Sequence, residues 1–242
     1  MLKTIFFNPV YNAFVFLVDI IPGHDLGLAI IILTVLIKVA IYPLYQKAII
    51  TNLKLKEANP QIEELKKKYQ NDKNEQARQI MDFYKKNGIN PFSGFLVILI
   101  QIPIFLTLFY VFRGDIGVHL DSLYSFVSAP TDSNNLFLGW FNLYDSKNYL
   151  FAVLTGLTQF FQTKLTLPAQ SPVAKEKKDG QPSFAEEFGR SMNMQMLYIM
   201  PVVIVFIATS LPAAVSLYWI TSNTLSIALE LFYRRHLKKT VL

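Results

Sequence analysis

The chain has 242 residues, of which 52% are hydrophobic and only 17% are charged, whereas soluble domains typically carry about 25% charged residues. Because the apolar residues cluster into long uncharged runs, the composition predicts an all-α membrane protein. The chain has no cysteine and only three widely separated histidines, which excludes disulfides, thiolate catalysis and a lipid-modified cysteine anchor, so no metal or other cofactor is expected.

The first 21 residues are aromatic and apolar, but Pro9 interrupts them and the unbroken part is too short to span a bilayer. The pattern favours an amphipathic helix over residues 1–21 that lies in the membrane interface, with Asp19 toward water. A signal-like or spanning segment is the alternative, although no small-residue cleavage site follows. A turn is predicted at residues 22–25.

Residues 26–46 form the first predicted transmembrane helix, and Lys38 is their single charge. At about 1.5 Å per residue this segment covers about 30 Å, the thickness of a bilayer's hydrocarbon core. Pro43 lies near its end, where a kink is tolerated. A lysine in the middle of such a helix costs about 2.5–3.5 kcal/mol on insertion, which indicates that the charge has a use.

Residues 47–91 are the only long polar region, and apolar residues recur along them at helical spacing. We expect a helical hairpin, with Asn59-Pro60 starting a helix, a turn at residues 70–73, and Gly88 ending the second helix. A charged, solvated linker is the alternative interpretation.

Four further transmembrane helices are predicted at residues 92–112, 149–167, 194–211 and 213–231. The uncharged run 192–229 would make one helix of about 57 Å, so Pro212 is expected to divide it into two antiparallel neighbours. Between the helices lie an irregular, aromatic-rich loop at 113–148 and a polar loop at 168–191. A basic tail occupies residues 236–242.

Charge placement predicts the orientation of these five helices. The segments 47–86, 164–191 and 234–239 lie on one predicted side and carry 19 of the 23 Lys and Arg residues. Basic residues concentrate on the cytoplasmic side of membrane proteins, so the hairpin, the 168–191 loop and the C-terminus are expected inside, and the N-terminus outside. The same rule explains the net charge of +6 without a nucleic-acid partner.

Three stretches together resemble the YidC family of membrane protein insertases. They are LTVLIKVAIYPLYQKA (33–48), FYKKNGINPFSGFLVILIQIPIFLTLFYVF (83–112) and MPVVIVFIATSLPAAVSLYWITSN (200–223). The resemblance covers about residues 5–235 and implies a single insertase core at 1–235, without the large external domain of some members. It implies a non-enzymatic insertase and chaperone of the bacterial inner membrane.

The resemblance also implies a hydrophilic groove within the membrane, open to cytoplasm and lipid, with Lys38 as its positive charge. The family usually has an arginine there, so the charge is kept but the guanidinium fork is lost. Other polar and aromatic side chains in the predicted helices are candidates for the groove lining: Thr34, Gln101, Gln162, Tyr218 and Trp219. The alternatives are hydrogen bonds within or between helices, aromatic packing, and snorkelling of Lys38 toward the headgroups.

The implied partners are nascent membrane-protein substrates and membrane lipids, with the ribosome and the Sec translocon as further candidates. The four basic residues near the C-terminus are a candidate ribosome contact and equally a stop-transfer anchor. An anion-conducting channel or transporter that uses Lys38 is the main functional alternative. Proton or cation coupling is disfavoured because the only acidic residue near a predicted helix core is Glu230, at the end of the fifth.

Overall fold

The structure is a computed structural model that describes residues 3–90, 93–112, 116–128, 133–166, 191 and 194–240. Its long elements are all helices: α1 (Asn8–Ile20), α2 (Leu26–Ala40), α3 (Tyr42–Lys68), α4 (Lys73–Lys86), α5 (Ser93–Phe112), α6 (Tyr149–Thr166), α7 (Met200–Thr209) and α8 (Ala213–Thr240). Short turns of π or 3-10 helix lie at Lys3–Phe7, Pro22–His24, Ile116–Ser122 and Gln195–Ile199. The predicted loop 168–191 lies, apart from Ser191, outside the described residues.

The predicted first transmembrane helix is broken into two. Helix α2 ends at Ala40 and α3 begins at Tyr42, with a bend of 67° between them. Pro43 lies in the first turn of α3, where it needs no backbone donor but cannot continue a preceding helix, which explains the break. Within the described residues, no single helix combines the length and hydropathy that a membrane crossing requires, whereas α2 and α3 meet that test together across their bend.

The helical hairpin forms from α3 and α4. Asp72 caps α4 by accepting hydrogen bonds from two backbone amides, of Asn74 at 3.1 Å and Glu75 at 3.0 Å. Gly88 follows α4 with a φ of 60°, the left-handed conformation that ends many helices. The predicted helix start at Asn59-Pro60 is wrong, because α3 runs through Pro60 without a break.

Burial on both sides of Pro60 explains why the helix continues. Ala58 and Ile62 flank the proline and are both buried, and with Ile89 they form a small core between α3 and the end of α4. The hydrophobic contacts therefore hold the helix together where its backbone ladder is interrupted.

The main hydrophobic core lies where α1, α2, α5 and α8 meet the 113–148 loop. Tyr11 and Val15 of α1 are fully buried there. The Asn12 side chain donates to the Ser122 carbonyl at 2.8 Å and accepts from the Tyr124 amide at 2.6 Å. Helix α1 is therefore packed into the bundle and bound to the loop.

The loop predicted to be irregular contains a small antiparallel hairpin of β1 (Leu136–Phe137) and β2 (Phe141–Asn142). Backbone hydrogen bonds join the residues that follow to the start of α8: the Ala213 amide donates to the Asp145 carbonyl at 2.9 Å and the Ala214 amide to the Leu143 carbonyl at 2.9 Å. The loop thus covers one end of the bundle. At the other end, α8 runs past the predicted helix end at 231, so the basic tail continues the helix as far as Thr240.

Helices α6 and α7 approach each other closely at Gly156. A Cβ atom on Gly156 would overlap the Cγ2 methyl of Val205 and would lie 3.1 Å from the Pro201 carbonyl oxygen. Small residues allow such close approach between membrane helices, where van der Waals packing supplies much of the association energy.

We therefore expect Gly156→Ala to destabilise the protein by about 1–3 kcal/mol through overpacking. The measurement is the thermal unfolding midpoint of the purified chain in detergent. Val205→Ala combined with Gly156→Ala removes the overlapping methyl and should recover most of the loss. Leu157→Ala, at the exposed neighbouring position, is the control. An unchanged midpoint for Gly156→Ala would show that the helices are not packed this closely.

Candidate functional site

Lys38 lies near the end of α2 with only 8% of its surface exposed. Its ammonium donates a hydrogen bond to the Ser226 hydroxyl at 2.9 Å and lies 5.2 Å from the centre of the Tyr45 ring. No carboxylate of the described residues lies within ion-pair distance of Lys38. The buried charge is therefore held by a hydroxyl and an aromatic face rather than by a fixed counter-ion.

The orientation of Ser226 makes it an acceptor for Lys38. Its own hydroxyl donates to the Ser222 carbonyl one turn earlier, at 2.8 Å, which leaves the oxygen lone pairs toward the ammonium. The Tyr45 side chain, near the start of α3, also lies close to Ser226 and Gln162. We call Lys38, Tyr45, Ser222 and Ser226 the Lys38 cluster.

Helix α8 presents a buried polar stripe toward this cluster. The stripe has a spacing of four residues, which keeps its members on one side of a helix. Each of them is at most 4% exposed: Tyr218, Ser222, Ser226 and Glu230. Polar groups thus follow one face of α8 from Tyr218 to Glu230.

A second polar group joins α8 to α6 and is centred on Gln159. The side-chain oxygen of Gln159 accepts hydrogen bonds from the Trp219 indole at 3.1 Å and from the Asn223 side-chain amide at 3.2 Å. Its own amide donates to the Gln162 side chain at 3.1 Å and to the Thr163 hydroxyl at 3.1 Å. We call this set the Gln159 network. These bonds satisfy both the oxygen and the nitrogen of the Gln159 side-chain amide, and they hold the Trp219 ring between α6 and α8.

Two further predicted site residues, Gln101 and Thr34, also make hydrogen bonds within the bundle. The Gln101 amide donates to the Tyr218 hydroxyl, which links α5 to α8. The Thr34 hydroxyl donates to the Ile30 carbonyl of its own helix at 2.6 Å, and Thr34 is 1% exposed. Thr34 therefore takes the structural role that threonine often has in membrane helices.

A third group, the Glu230 cluster, lies one turn beyond Ser226. Glu230 is 1% exposed and accepts from the Arg234 guanidinium at 3.2 Å, while its other oxygen has no hydrogen-bond partner among the described residues. Arg234 and the Lys56 ammonium of α3 both donate to the Leu165 carbonyl near the end of α6. The cluster joins α3, α6 and α8. Burial, reinforced by Arg234, lowers the pKa of the Lys56 amine to about 8, and Glu230 acts in the opposite direction.

The chemistry available at these groups is hydrogen bonding and charge pairing. No three histidine, aspartate or glutamate side chains of the described residues are placed to hold a metal ion together. The arrangement provides an ammonium with three hydrogen-bond donors next to the hydroxyl groups of the α8 stripe, and the amides of the Gln159 network lie between α6 and α8.

Comparison with known proteins gives the family. A family model described as 60Kd inner membrane protein matches residues 16–240. Membrane protein insertase YidC of Oceanobacillus iheyensis is 34% identical over 202 residues, which cover 81% of this chain and 69% of the relative. The chain belongs to the YidC family. A crystal structure described as an active YidC insertase with the first transmembrane domain resolved is similar as well, at a TM-score of 0.59 and 27% identity over 94% of this chain.

This YidC-family chain is shorter than many of its relatives. YidC of Syntrophobacter fumaroxidans is 29% identical over 88% of this chain, but the match covers only 35% of that relative. The match likewise covers 45% of the solved YidC chain. The relatives carry the name of an insertase rather than of an enzyme, which agrees with the prediction that the chain is not an enzyme.

The structure groups the sequence candidates in three places. Gln162 and Trp219 belong to the Gln159 network, Gln101 pairs with Tyr218, and Lys38 binds Ser226. Ser226, Tyr45 and Gln159 were not predicted as site residues. The four-residue spacing of Tyr218, Ser222, Ser226 and Glu230 in the sequence is the signal that could have found Ser226.

We expect Ser226→Ala to destabilise the protein by about 1.5–3 kcal/mol, because it removes the hydroxyl that accepts a hydrogen bond from a buried ammonium. In a Lys38→Met background the same change should cost less than about 0.5 kcal/mol, since no charge is left unpaired. Unfolding in mixed micelles measures both. Thr224→Ala, an exposed hydroxyl on the same helix, is the control. Equal costs in the two backgrounds would rule out the coupling.

The Lys56 amine predicts a dependence of stability on pH. Its folded-state pKa of about 8 lies below the ordinary 10.5, so the unfolded chain binds more protons between pH 8 and 10.5 and stability rises with pH in that window. The thermal midpoint of the wild-type chain, measured relative to that of Lys56→Gln, should therefore increase from about pH 7 to 10. Below about pH 7 the difference between the two midpoints should not change. The exposed Lys54→Gln variant is the matched control, and the same gain over that variant would contradict the prediction.

Proposed function

We propose that this chain is a membrane protein insertase and chaperone of the bacterial inner membrane. The observation that carries the proposal is the Lys38 cluster: a cation buried in a YidC-family helical bundle whose recorded partners are neutral. A buried charge without a counter-ion is costly, and a passing acidic or polar segment can supply the missing interaction.

The proposed arrangement has five transmembrane segments, at residues 26–46, 92–112, 149–167, 194–211 and 213–231, with the N-terminus outside and the C-terminus inside. The segment 1–21 lies at the outer interface, the 113–148 loop is external, and the 47–91 hairpin and 168–191 loop are cytoplasmic. The distribution of Lys and Arg along the chain supports this orientation. The bend after Ala40 supports a first segment whose cytoplasmic end turns sharply into the hairpin.

A substrate's polar segment would enter from the cytoplasm between α3 and the polar stripe of α8. Lys38 would then exchange Ser226 for a carboxylate or carbonyl of the substrate. The bond from the ammonium to the serine hydroxyl is ionised on one side only, whereas a carboxylate adds the attraction between opposite charges, so an acidic segment is favoured over the serine. The hydroxyls and amides of the stripe and of the Gln159 network supply further partners along the path.

The proposed driving force is burial of the substrate's apolar segment in lipid, at about 25 cal/mol per Å² of apolar surface. An inside-negative potential adds about 2.3 kcal/mol per 100 mV for each negative charge that moves outward. The insertase would shorten the distance over which the substrate's polar segment crosses the membrane without hydration. The Glu230 cluster lies toward the proposed cytoplasmic end, where its contacts join α3, α6 and α8 at the entrance.

The proposed partners are nascent membrane proteins and lipids. The Lys-rich hairpin and the helical C-terminal end of α8 are the surfaces that a ribosome would meet first on the cytoplasmic side. The Sec translocon is a further candidate partner, and the groove itself needs no nucleic acid.

The test is insertion of a single-span substrate with an acidic N-terminal tail into liposomes that contain the purified chain. Lys38→Ala should lower the insertion rate at least about tenfold, because a charge-assisted hydrogen bond contributes about 1.5–3 kcal/mol. Lys38→Arg keeps the positive charge and should therefore retain most of the wild-type insertion rate. A substrate with amides in place of its acidic residues should reduce the difference between wild type and Lys38→Ala.

Two controls accompany the assay. Lys54→Ala removes an exposed charge of the hairpin and should insert as the wild type does. Thermal unfolding of each variant shows that it is folded. Equal insertion by wild type and Lys38→Ala would reject the role of the charge, and chloride flux without insertion would favour an anion channel.

A further inference from the structure

The tip of the β-hairpin in the 113–148 loop exposes large apolar side chains. Trp140 is 86% exposed and Leu138 is 65% exposed, and they flank Gly139 at the turn between β1 and β2. The stretch from Ser133 to Tyr144 contains no charged residue. Exposed tryptophan and leucine together on one tight turn are unusual for a surface that contacts only water.

The tip is held rigidly rather than displayed on a loose loop. Phe137 and Phe141 point the other way from Leu138 and Trp140, and their rings lie 6.5 Å and 5.1 Å from that of Phe151 in α6. The turn is closed by hydrogen bonds from the Gly139 amide to Leu136 at 3.1 Å and from the Trp140 amide to Phe137 at 3.2 Å.

Leu138 adopts a conformation that leucine normally avoids. Its φ is 55°, in the left-handed region that favours glycine and asparagine. The neighbouring Gly139, with a φ of 74°, occupies the same region without strain. An apolar side chain at this position therefore opposes the local backbone preference, which indicates that the side chain itself has a role.

The hairpin is also attached to the start of α2. The Leu26 amide donates to the Asn134 carbonyl at 3.0 Å, and the Asn134 amide donates to the His24 carbonyl at 2.9 Å. The ring of Phe137 fills the space over Gly27, where a Cβ atom would overlap it. The position of the tip thus fixes the position of the helix that carries Lys38.

The partner that fits this tip is a lipid surface. Two exposed side chains on a narrow turn cannot approach the roughly 800 Å² that each partner contributes to a stable protein interface. Tyr149 and Leu150, which begin α6 soon after the hairpin, are 69% and 53% exposed, so apolar surface continues from the loop onto the bundle. Tryptophan prefers the boundary between headgroups and acyl chains, where its ring is apolar and its N–H is hydrated.

We propose that the Leu138-Gly139-Trp140 tip inserts into the headgroup–acyl boundary of the outer leaflet and thereby sets the depth of Lys38. Leu26 and Lys38 are separated by about 18 Å along α2, which places the ammonium just past the middle of a hydrocarbon core of about 30 Å. This inference rests on the proposed orientation with the N-terminus outside.

The test uses the two tryptophans of the chain, Trp140 and Trp219. A Trp219→Phe chain reports Trp140 alone, and a Trp140→Phe chain reports Trp219 alone. Both are reconstituted in phosphatidylcholine–phosphatidylglycerol vesicles whose acyl chains carry bromine either on upper carbons or near the terminal methyl. Trp140 fluorescence should be quenched at least about twofold more by the shallow bromines, as expected for an interfacial indole, and only weakly by aqueous iodide.

A second variant tests the tip without changing the tryptophan. Leu138→Asn suits the left-handed backbone, so it should fold, and by removing an anchor it should reduce the shallow quenching of Trp140 and increase quenching by iodide. The proposal fails if Trp140 is quenched by iodide but by neither lipid, or more strongly by the deep bromines. Neither readout depends on insertion of a substrate, so failure here is distinct from failure of the insertase assay.

Discussion

The hydrogen bond from Lys38 to Ser226 is the contact on which the candidate site depends. It joins α2 to α8 across 188 positions of sequence and holds the charge where only 8% of the residue is exposed. A fixed carboxylate would bind the ammonium more strongly and would also occupy it. A hydroxyl satisfies one of its three donors and leaves the charge available, which is the condition that transient binding requires.

The Gln159 network and the Glu230 cluster connect three helices, α3, α6 and α8. The Gln159 network joins α6 to α8 through neutral groups, and the Glu230 cluster joins both of them to α3 through charged ones. Neutral amide contacts in membrane helices are modest in energy, whereas separating a buried Glu230 from Arg234 leaves an uncompensated charge. The Glu230 cluster is therefore the more costly of the two to open, and the Gln159 network is the easier one.

Much of this organisation follows from the sequence. Long apolar runs give the helices α5 to α8, the polar turn at residues 70–73 and Gly88 give the bounds of α4, and a single lysine in an apolar run gives the centre of the candidate site. The four-residue spacing in α8 makes Ser226 a candidate, but its pairing with Lys38 could not be predicted, because serine and tyrosine are common in apolar helices and only packing decides which of them faces the charge. Gln159 and Gln162 are equally polar, and the phase of α6 alone makes Gln159 the centre of the network.

The break after Ala40 gives the hairpin a mechanical property. Helix α3 has 27 residues and is about 40 Å long, and it is anchored near its first turn by Tyr45 at the Lys38 cluster. A rotation of about 10° about Ile41 would move the far end by about 7 Å and Tyr45 by about 1 Å, from the helical rise alone. A large displacement at the far end of the hairpin would therefore reach the ammonium only as a small change in its distance from the Tyr45 ring.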